Sequence, residues 1–154
     1  MIVQYHRVRD DVPQPTRGHP SDAGLDVHYS PADFSTTARR IEPGESALLQ
    51  TGLRFEVPHG YMLEVKNRSS VAAKRSLLVG ACVIDSGYAG EVFINLHNVG
   101  AETQFVERDT KIAQLVMLPV VPFQAWENPG GELYEYPVTI SARGDGALGS
   151  TDAD

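Results

Sequence analysis

The chain of 154 residues carries one cysteine, one tryptophan and only 13 basic side chains against 20 acidic ones. Each scarcity excludes something. With Cys82 alone, no internal disulfide can form, no multi-cysteine zinc site can be built, and a reducing compartment fits. A net charge of -7 does not suit a chain that holds duplex nucleic acid by broad attraction, which needs clustered Lys and Arg, so no nucleic-acid partner is expected. No run approaches the roughly 18 consecutive apolar residues of a membrane span, so no membrane partner is expected. Residues 1–7 have no apolar stretch followed by a small-residue cleavage site. The expectation is therefore no secretory leader and a cytoplasmic location.

Long helical stretches are scarce too. The 14 glycines and 10 prolines are spread as punctuation, with turns at Pro43-Gly44, Pro58 to Gly60 and Pro129-Gly130. Between them lie short near-alternating runs that read as strands: Ser46 to Val57, Tyr61 to Lys66, Leu77 to Ile84, Glu91 to His97 and Lys111 to Val121. Many short strands with regular turns predict an all-β, jelly-roll-like barrel or sandwich. One short helix is expected after Arg68, Ser69 and Ser70, where a serine can cap Val71 to Arg75. With 42% hydrophobic and 21% charged residues, the composition is globular. One domain over 1–154 is expected. Its last stretch, 141–154, is rich in glycine and poor in anything to bury, and is expected to be a mobile arm.

Five polar, glycine-bearing blocks stand in order: Asp22 to Asp26, Arg68 to Ser70, Val83 to Tyr88, Lys111 to Leu115 and Arg143 to Thr151. Together they offer carboxylates for a metal and a water, arginines and hydroxyls for phosphate oxygens, and a glycine-rich tail of backbone amides. In an acidic chain such attraction must be local, and Arg68, Arg143 and a divalent cation could supply it. Asp85 enters the turn Ser86-Gly87 between two apolar runs, a hairpin signal. It can orient a water and take its proton, or simply bond its own backbone as turn residues do. Tyr88 after the turn is a sugar platform or a cross-strand packing residue. Asp22 and Asp26 could serve magnesium, which keeps several waters, or form a solvated loop. Arg68, Ser69 and Ser70 make a phosphate perch or an ordinary cap. Gln114 interrupts an apolar strand and faces a site or solvent. His6, His19, His28, His59 and His97 are scattered and do not suggest a zinc site.

Taken in order, the five blocks resemble the homotrimeric dUTPase family, dUTP nucleotidohydrolases of all-β fold, over positions 22 to 151. The resemblance implies hydrolysis of dUTP to dUMP and pyrophosphate with Mg2+, in three active sites at subunit interfaces, supplying dUMP for thymidylate synthesis and limiting uracil in DNA. On the matching positions, it implies that Asp85 activates the attacking water. Tyr88 would pack under deoxyribose, and the backbone around Val83 and Ile84 would read uracil. It puts Arg68, Ser69, Ser70 and Gln114 on phosphates and Asp26 on the metal through water. Arg143, with Leu148, Gly149 and Ser150 in the arm, would close over a neighbouring subunit's nucleotide. Where many members carry an aromatic in the arm, this chain has Leu148, which covers a base without a π face and implies weaker closure. Cys82, Val79 and Ala89 also depart from frequent family residues. Two other readings use the same fold. A dCTP deaminase needs a carboxylate where this chain has the neutral Asn95, although Glu91 lies nearby. A non-catalytic, nucleotide-responsive regulatory module would have no evident need for Asp85.

Overall fold

Two glycines cut runs that alternation alone would continue. A computed structural model describes residues 1–131 and 133. In it the run from Ser46 breaks into β4 (Ser46–Gln50) and β5 (Leu53–Phe55) at Gly52, whose φ of 69° is left-handed. A side chain there would also strike Val12, because a Cβ would lie 2.4 Å from its methyl carbon. The run from Leu77 breaks at Gly80 into β7 (Leu77–Val79) and β8 (Val83–Ile84). The other strands are β1 (Tyr5–Arg7), β2 (Leu25–His28), β3 (Ala38–Ile41), β6 (Tyr61–Lys66), β9 (Phe93–Asn98), β10 (Gln104–Glu107) and β11 (Lys111–Pro119). The architecture is all-β and jelly-roll-like, with the single helix α1 (Ser69–Arg75) among the described residues.

The strands form antiparallel sheets in the orders β2-β11-β6-β8 and β4-β9-β7, with smaller pairs β1-β5 and β10-β3. Their inward faces make one core, in which Leu49, Leu53, Ile94, Leu96, Val106 and Ile112 are almost wholly buried. In β9 the alternation is plain: Ile94, Leu96 and Asn98 point inward while Phe93 and His97 face out. Asn98 is tolerated there because its amide donates to Ile41 O (2.9 Å) and Glu102 O (2.8 Å) and accepts from Gly100 N (3.0 Å). Thr51 is buried on the same terms, donating to Val92 O at 2.6 Å.

One expectation needs correcting. The runs before and after Ser86-Gly87 pair only in part: β7, the first half of the earlier run, lies antiparallel to β9, with Leu77, Leu78 and Val79 opposite Asn98, His97 and Leu96, whereas β8, next to the turn, pairs with β6, and β9 also pairs with β4. The turn itself is present, closed by Tyr88 N donating to Asp85 O at 3.2 Å with Gly87 at φ 88°. Tertiary pairing sends only β8 into a different sheet from β9. Met1–Pro122 is one compact unit and Phe123–Asp154 a second. Within the second, Gly131 N and Gly130 N donate to Asn128 O and Oδ1, at 3.1 and 3.0 Å. The expected arm, 141–154, lies outside the described residues. No helix among the described residues is long and apolar enough to cross a membrane.

Candidate active site

Asp26 is held by backbone on both sides. Its N–H donates to Thr16 O (2.7 Å), and across the strand it faces Gln114 of β11. Its side chain, 13% exposed, is clasped by two cations: Arg68 Nε donates to Oδ1 at 2.8 Å and Lys111 Nζ to Oδ2 at 2.9 Å. Arg68 can reach back because its backbone, extended at φ -85° and ψ 131°, starts α1 without using its side chain as a cap. Its carbonyl accepts from Val71 N (3.0 Å) and Ala72 N (2.9 Å), which leaves the amides of Ser69 and Ser70 among the unpaired donors of the first turn. The helix ends at Ser76, in the left-handed region at φ 51°, as a non-glycine C-cap.

These residues line a cleft of about 520 Å³ that also includes Asp22, Gly24, Lys66 and Gln114. Three cationic side chains, Lys66, Arg68 and Lys111, meet two carboxylates, Asp22 and Asp26, in its lining. In a chain of net charge -7 this cleft brings cations together where the blocks converge, although Lys66 is also paired to Glu64 at 2.7 Å and Arg68 and Lys111 share Asp26. Asp22 is already a turn residue, its Oδ2 accepting from His19 N at 2.8 Å. Gln114 donates to Asn67 O at 2.8 Å and packs on Gly24 so closely that a Cβ there would lie 1.8 Å from its Oε1. His28, two residues beyond Asp26 on the same strand face, titrates below the ordinary imidazole range, first because of burial and then because of Lys111.

Val83, Ile84, Asp85 and Tyr88 line a different cleft, of about 180 Å³, with Val92 and Phe93. Here β8 is the edge of its sheet. Val65 N donates to Cys82 O at 2.7 Å, so by antiparallel alternation the next pair, Glu64 and Val83, is not hydrogen-bonded. The N–H and C=O of Val83 consequently face the open edge. Asp85 supplies its backbone carbonyl to the turn, and its carboxylate carries no hydrogen bond or ion pair among the described residues. The self-bonding turn role is thus filled by backbone, leaving the side chain available. Ser86 Oγ donates to Val57 O (3.1 Å), tying the turn to the body. Tyr88 Oη donates to Glu91 O (2.8 Å), and the residue is 46% exposed.

The structure therefore brings Asp26, Arg68, Ser69, Ser70 and Gln114 together, and separately Val83, Ile84, Asp85 and Tyr88. The two clefts share no lining residue. Arg143, Leu148, Gly149 and Ser150 lie outside the described residues. Sequence reasoning missed Lys111 as the second clasp on Asp26. It lies three residues before Gln114, which strict alternation assigns to opposite faces. A register shift between Lys111 and Ala113 brings both into the cleft lining. Sequence reasoning weighed Glu91 only as a nearby carboxylate for deamination and missed its structural part: its Oε1 accepts from Gly52 N at 2.8 Å and its carbonyl holds Tyr88.

A sequence model of the dUTPase family matches residues 10–150. A deoxyuridine 5'-triphosphate nucleotidohydrolase of Clostridium acetobutylicum is 38% identical over 151 residues, covering 97% of this chain and 95% of that protein. One of Anaplasma marginale is 34% identical over 146 residues, covering 91% and 89%. Among solved structures, the dUTPase of Staphylococcus bacteriophage 80alpha with dUPNHPP is alike in fold, with a TM-score of 0.81 over 97% of each chain at 24% identity. A dUTPase of phage phi11 of S. aureus, in which a structural Mg(II) ion is coordinated, has a TM-score of 0.73 over 84% of this chain and 97% of that one, at 23% identity.

Proposed function

The chain belongs to the dUTPase family of dUTP-hydrolysing enzymes, and from that premise we propose that it splits dUTP into dUMP and pyrophosphate by water attack on the α-phosphorus. The observation that carries the reading is the division of labour between the two clefts. One concentrates cations and helix amides. The other offers an open strand edge beside an unengaged carboxylate. A nucleoside triphosphate has matching parts: a charged tail, and a base with a fixed donor and acceptor pattern.

In this reading the edge amide and carbonyl of Val83, with Ile84 behind them, pair with uracil, and the exposed face of Tyr88 packs against deoxyribose. Asp85 orients the water and takes its proton as the pyrophosphate departs on the opposite side. Arg68, Ser69, Ser70 and Gln114 contact phosphate oxygens. Arg143 and the segment Leu148, Gly149, Ser150 close over the nucleotide and exclude bulk water.

The residues fit Mg2+ only in company with substrate. No group of three or more His, Cys, Asp or Glu that could hold a metal occurs among the described residues. Magnesium commonly takes one or two carboxylates and fills the remaining positions with waters and phosphate oxygens, so Asp26, acting through water, suits it. When bound, the ion neutralises charge on the phosphates. Meanwhile Arg68 and Lys111 hold the Asp26 carboxylate in place.

That the active enzyme is a homotrimer with three active sites at its subunit interfaces is carried over from the family, and two clefts on one chain with no shared lining residue accord with it. A cytoplasmic role, supplying dUMP for thymidylate synthesis and keeping uracil out of DNA, accords with the lone Cys82.

The test is pyrophosphate release from dUTP, with dCTP, dTTP and UTP in parallel, with and without Mg2+. Metal-dependent release from dUTP alone supports the reading, whereas ammonia release from dCTP would replace it with deamination. Asp85→Asn should lower kcat by about 10² to 10⁴ while nucleotide still binds. Full activity in that variant removes Asp85 from its role.

A further inference from the structure

Three residues, Gly80 to Cys82, carry the chain from the sheet of β7 to the sheet of β8. A crossing this short aims the strand edge that follows it. Its anchors are specific. Gly80 N donates to Asn95 O at 2.9 Å, and Cys82 O accepts from Val65 N at 2.7 Å. Between them, Ala81 N donates to the side-chain Oδ1 of Asn95 at 3.4 Å, a long bond. That oxygen also meets His97 Nε2 at 2.8 Å. Since it accepts from a backbone N–H it is the amide oxygen, so the imidazole must donate from Nε2. The amide nitrogen of Asn95 reaches Ala47 O on β4 at 3.5 Å.

Gly80 is part of the same arrangement. It does not have a left-handed φ, so backbone conformation does not demand a glycine there. Space does: a Cβ would lie 2.2 Å from Asn95 Oδ1 and 2.4 Å from His97 Nε2. The amide and the imidazole are seated against the bare α-carbon of the crossing. Two residues beyond Ala81 stands Val83, with its N–H and C=O on the open edge.

We propose that Asn95, oriented by His97, is a positioning residue for base discrimination. It sets the Gly80–Cys82 crossing and thereby the place at which Val83 presents its backbone. The inference rests on the reading that Val83 and Ile84 recognise uracil. A merely structural amide at this place would influence stability and leave the preference among bases untouched. A positioning amide changes the preference because misplacing a hydrogen-bonding edge weakens the matched base most.

The experiment compares kcat and KM for dUTP and dCTP, by pyrophosphate release, in Asn95→Leu, Asn95→Asp, Gly80→Ala and Val83→Pro, with thermal unfolding of each. Asn95→Leu removes the acceptor while keeping the branching at Cγ, with methyl groups in place of the amide atoms. It should raise KM for dUTP about tenfold, change kcat far less, and shrink the dUTP to dCTP preference by about the same factor. Asn95→Asp keeps an acceptor for both Ala81 N–H and His97 and should restore most of the preference. Gly80→Ala displaces the unaltered amide and should reproduce the loss, which keeps the test open if Asn95→Leu fails to fold. Val83→Pro removes the edge N–H itself, at an edge position where proline is tolerated. If it shifts the base preference while Asn95→Leu and Gly80→Ala do not, the positioning role is overturned and base reading by Val83 stands. If Val83→Pro leaves the preference unchanged as well, base reading by this edge falls, and the inference falls with it.

Discussion

Gln114 shows what a single side chain owes to its neighbour's lack of one. Gly24 lies against it so closely that a methyl group would sit 1.8 Å from its Oε1 and 2.6 Å from its Cδ. The obstructing atoms belong mostly to the flexible end of a side chain, so the fold should survive. Gly24→Ala should push Gln114 off its bond to Asn67 O, cost roughly 1 kcal/mol or less in stability, and raise KM for dUTP several-fold. Thermal unfolding and steady-state kinetics together check this, and an unchanged KM removes Gln114 from the phosphate site. The signal in the sequence was a polar residue inside an apolar strand, and that side chain lies in the lining of the cleft. It could not point to Lys111, because local bulging, not alternation, brings that side chain to Asp26.

At the scale of elements, the segment between β2 and β3 is organised by one carboxylate and one guanidinium. Asp33 accepts from Ser35 N (2.9 Å), Ser35 Oγ (2.7 Å) and Thr36 Oγ1 (3.3 Å). Arg108 donates to the carbonyls of Pro31 and Asp33, at 2.9 and 2.7 Å, with its guanidinium 5.3 Å from the centroid of the Phe34 ring. The Ser35 hydrogen bonds hold the Asp33 carboxyl below its ordinary value of 3.8. A depressed carboxyl pKa stabilises the fold above the unfolded value, and that contribution is lost as pH falls through the folded one. Asp33→Asn mimics the protonated form. It should therefore melt slightly below the parent at neutral pH and match it well below pH 3.8. Melting curves across pH check this, and an offset that persists in acid contradicts it. The short helix and β6 were legible locally, as a helix after Arg68 and an apolar run between Gly60 and Asn67, but the expected serine cap is not made: Arg68 is the N-cap, with no side-chain capping bond, and Ser69 and Ser70 lie within the helix. The hairpin was legible only in its outer part, where β7 pairs with β9, because β8 beside the turn takes β6 as its partner instead.

For the whole molecule the question is how two clefts make one site. If neighbouring subunits complete each other, two dead variants should rescue one another. Asp85→Asn and Arg68→Ala, each nearly inactive alone, should regain a substantial part of parental turnover, on the order of a tenth, when refolded together into mixed assemblies. Recovery no greater than the sum of the separate variants would mean that each chain builds its own site. The outward residues Leu48 and Phe93, 64% and 38% exposed, are the kind of apolar surface that such an assembly covers.

The sequence by itself determined the all-β class, the short helix, the acidic net charge and the likeness to the dUTPase family. These depend on composition, on period-two alternation and on residue types that no distant contact can alter. Only the tertiary structure decided which strands pair and that β8 forms an open edge beside Asp85. It alone brought Lys111 and Arg68 to share Asp26 and seated Asn95 and His97 against Gly80. Those are contacts between residues far apart in the chain, made when burying the apolar faces brings distant strands into register, and no local pattern encodes them.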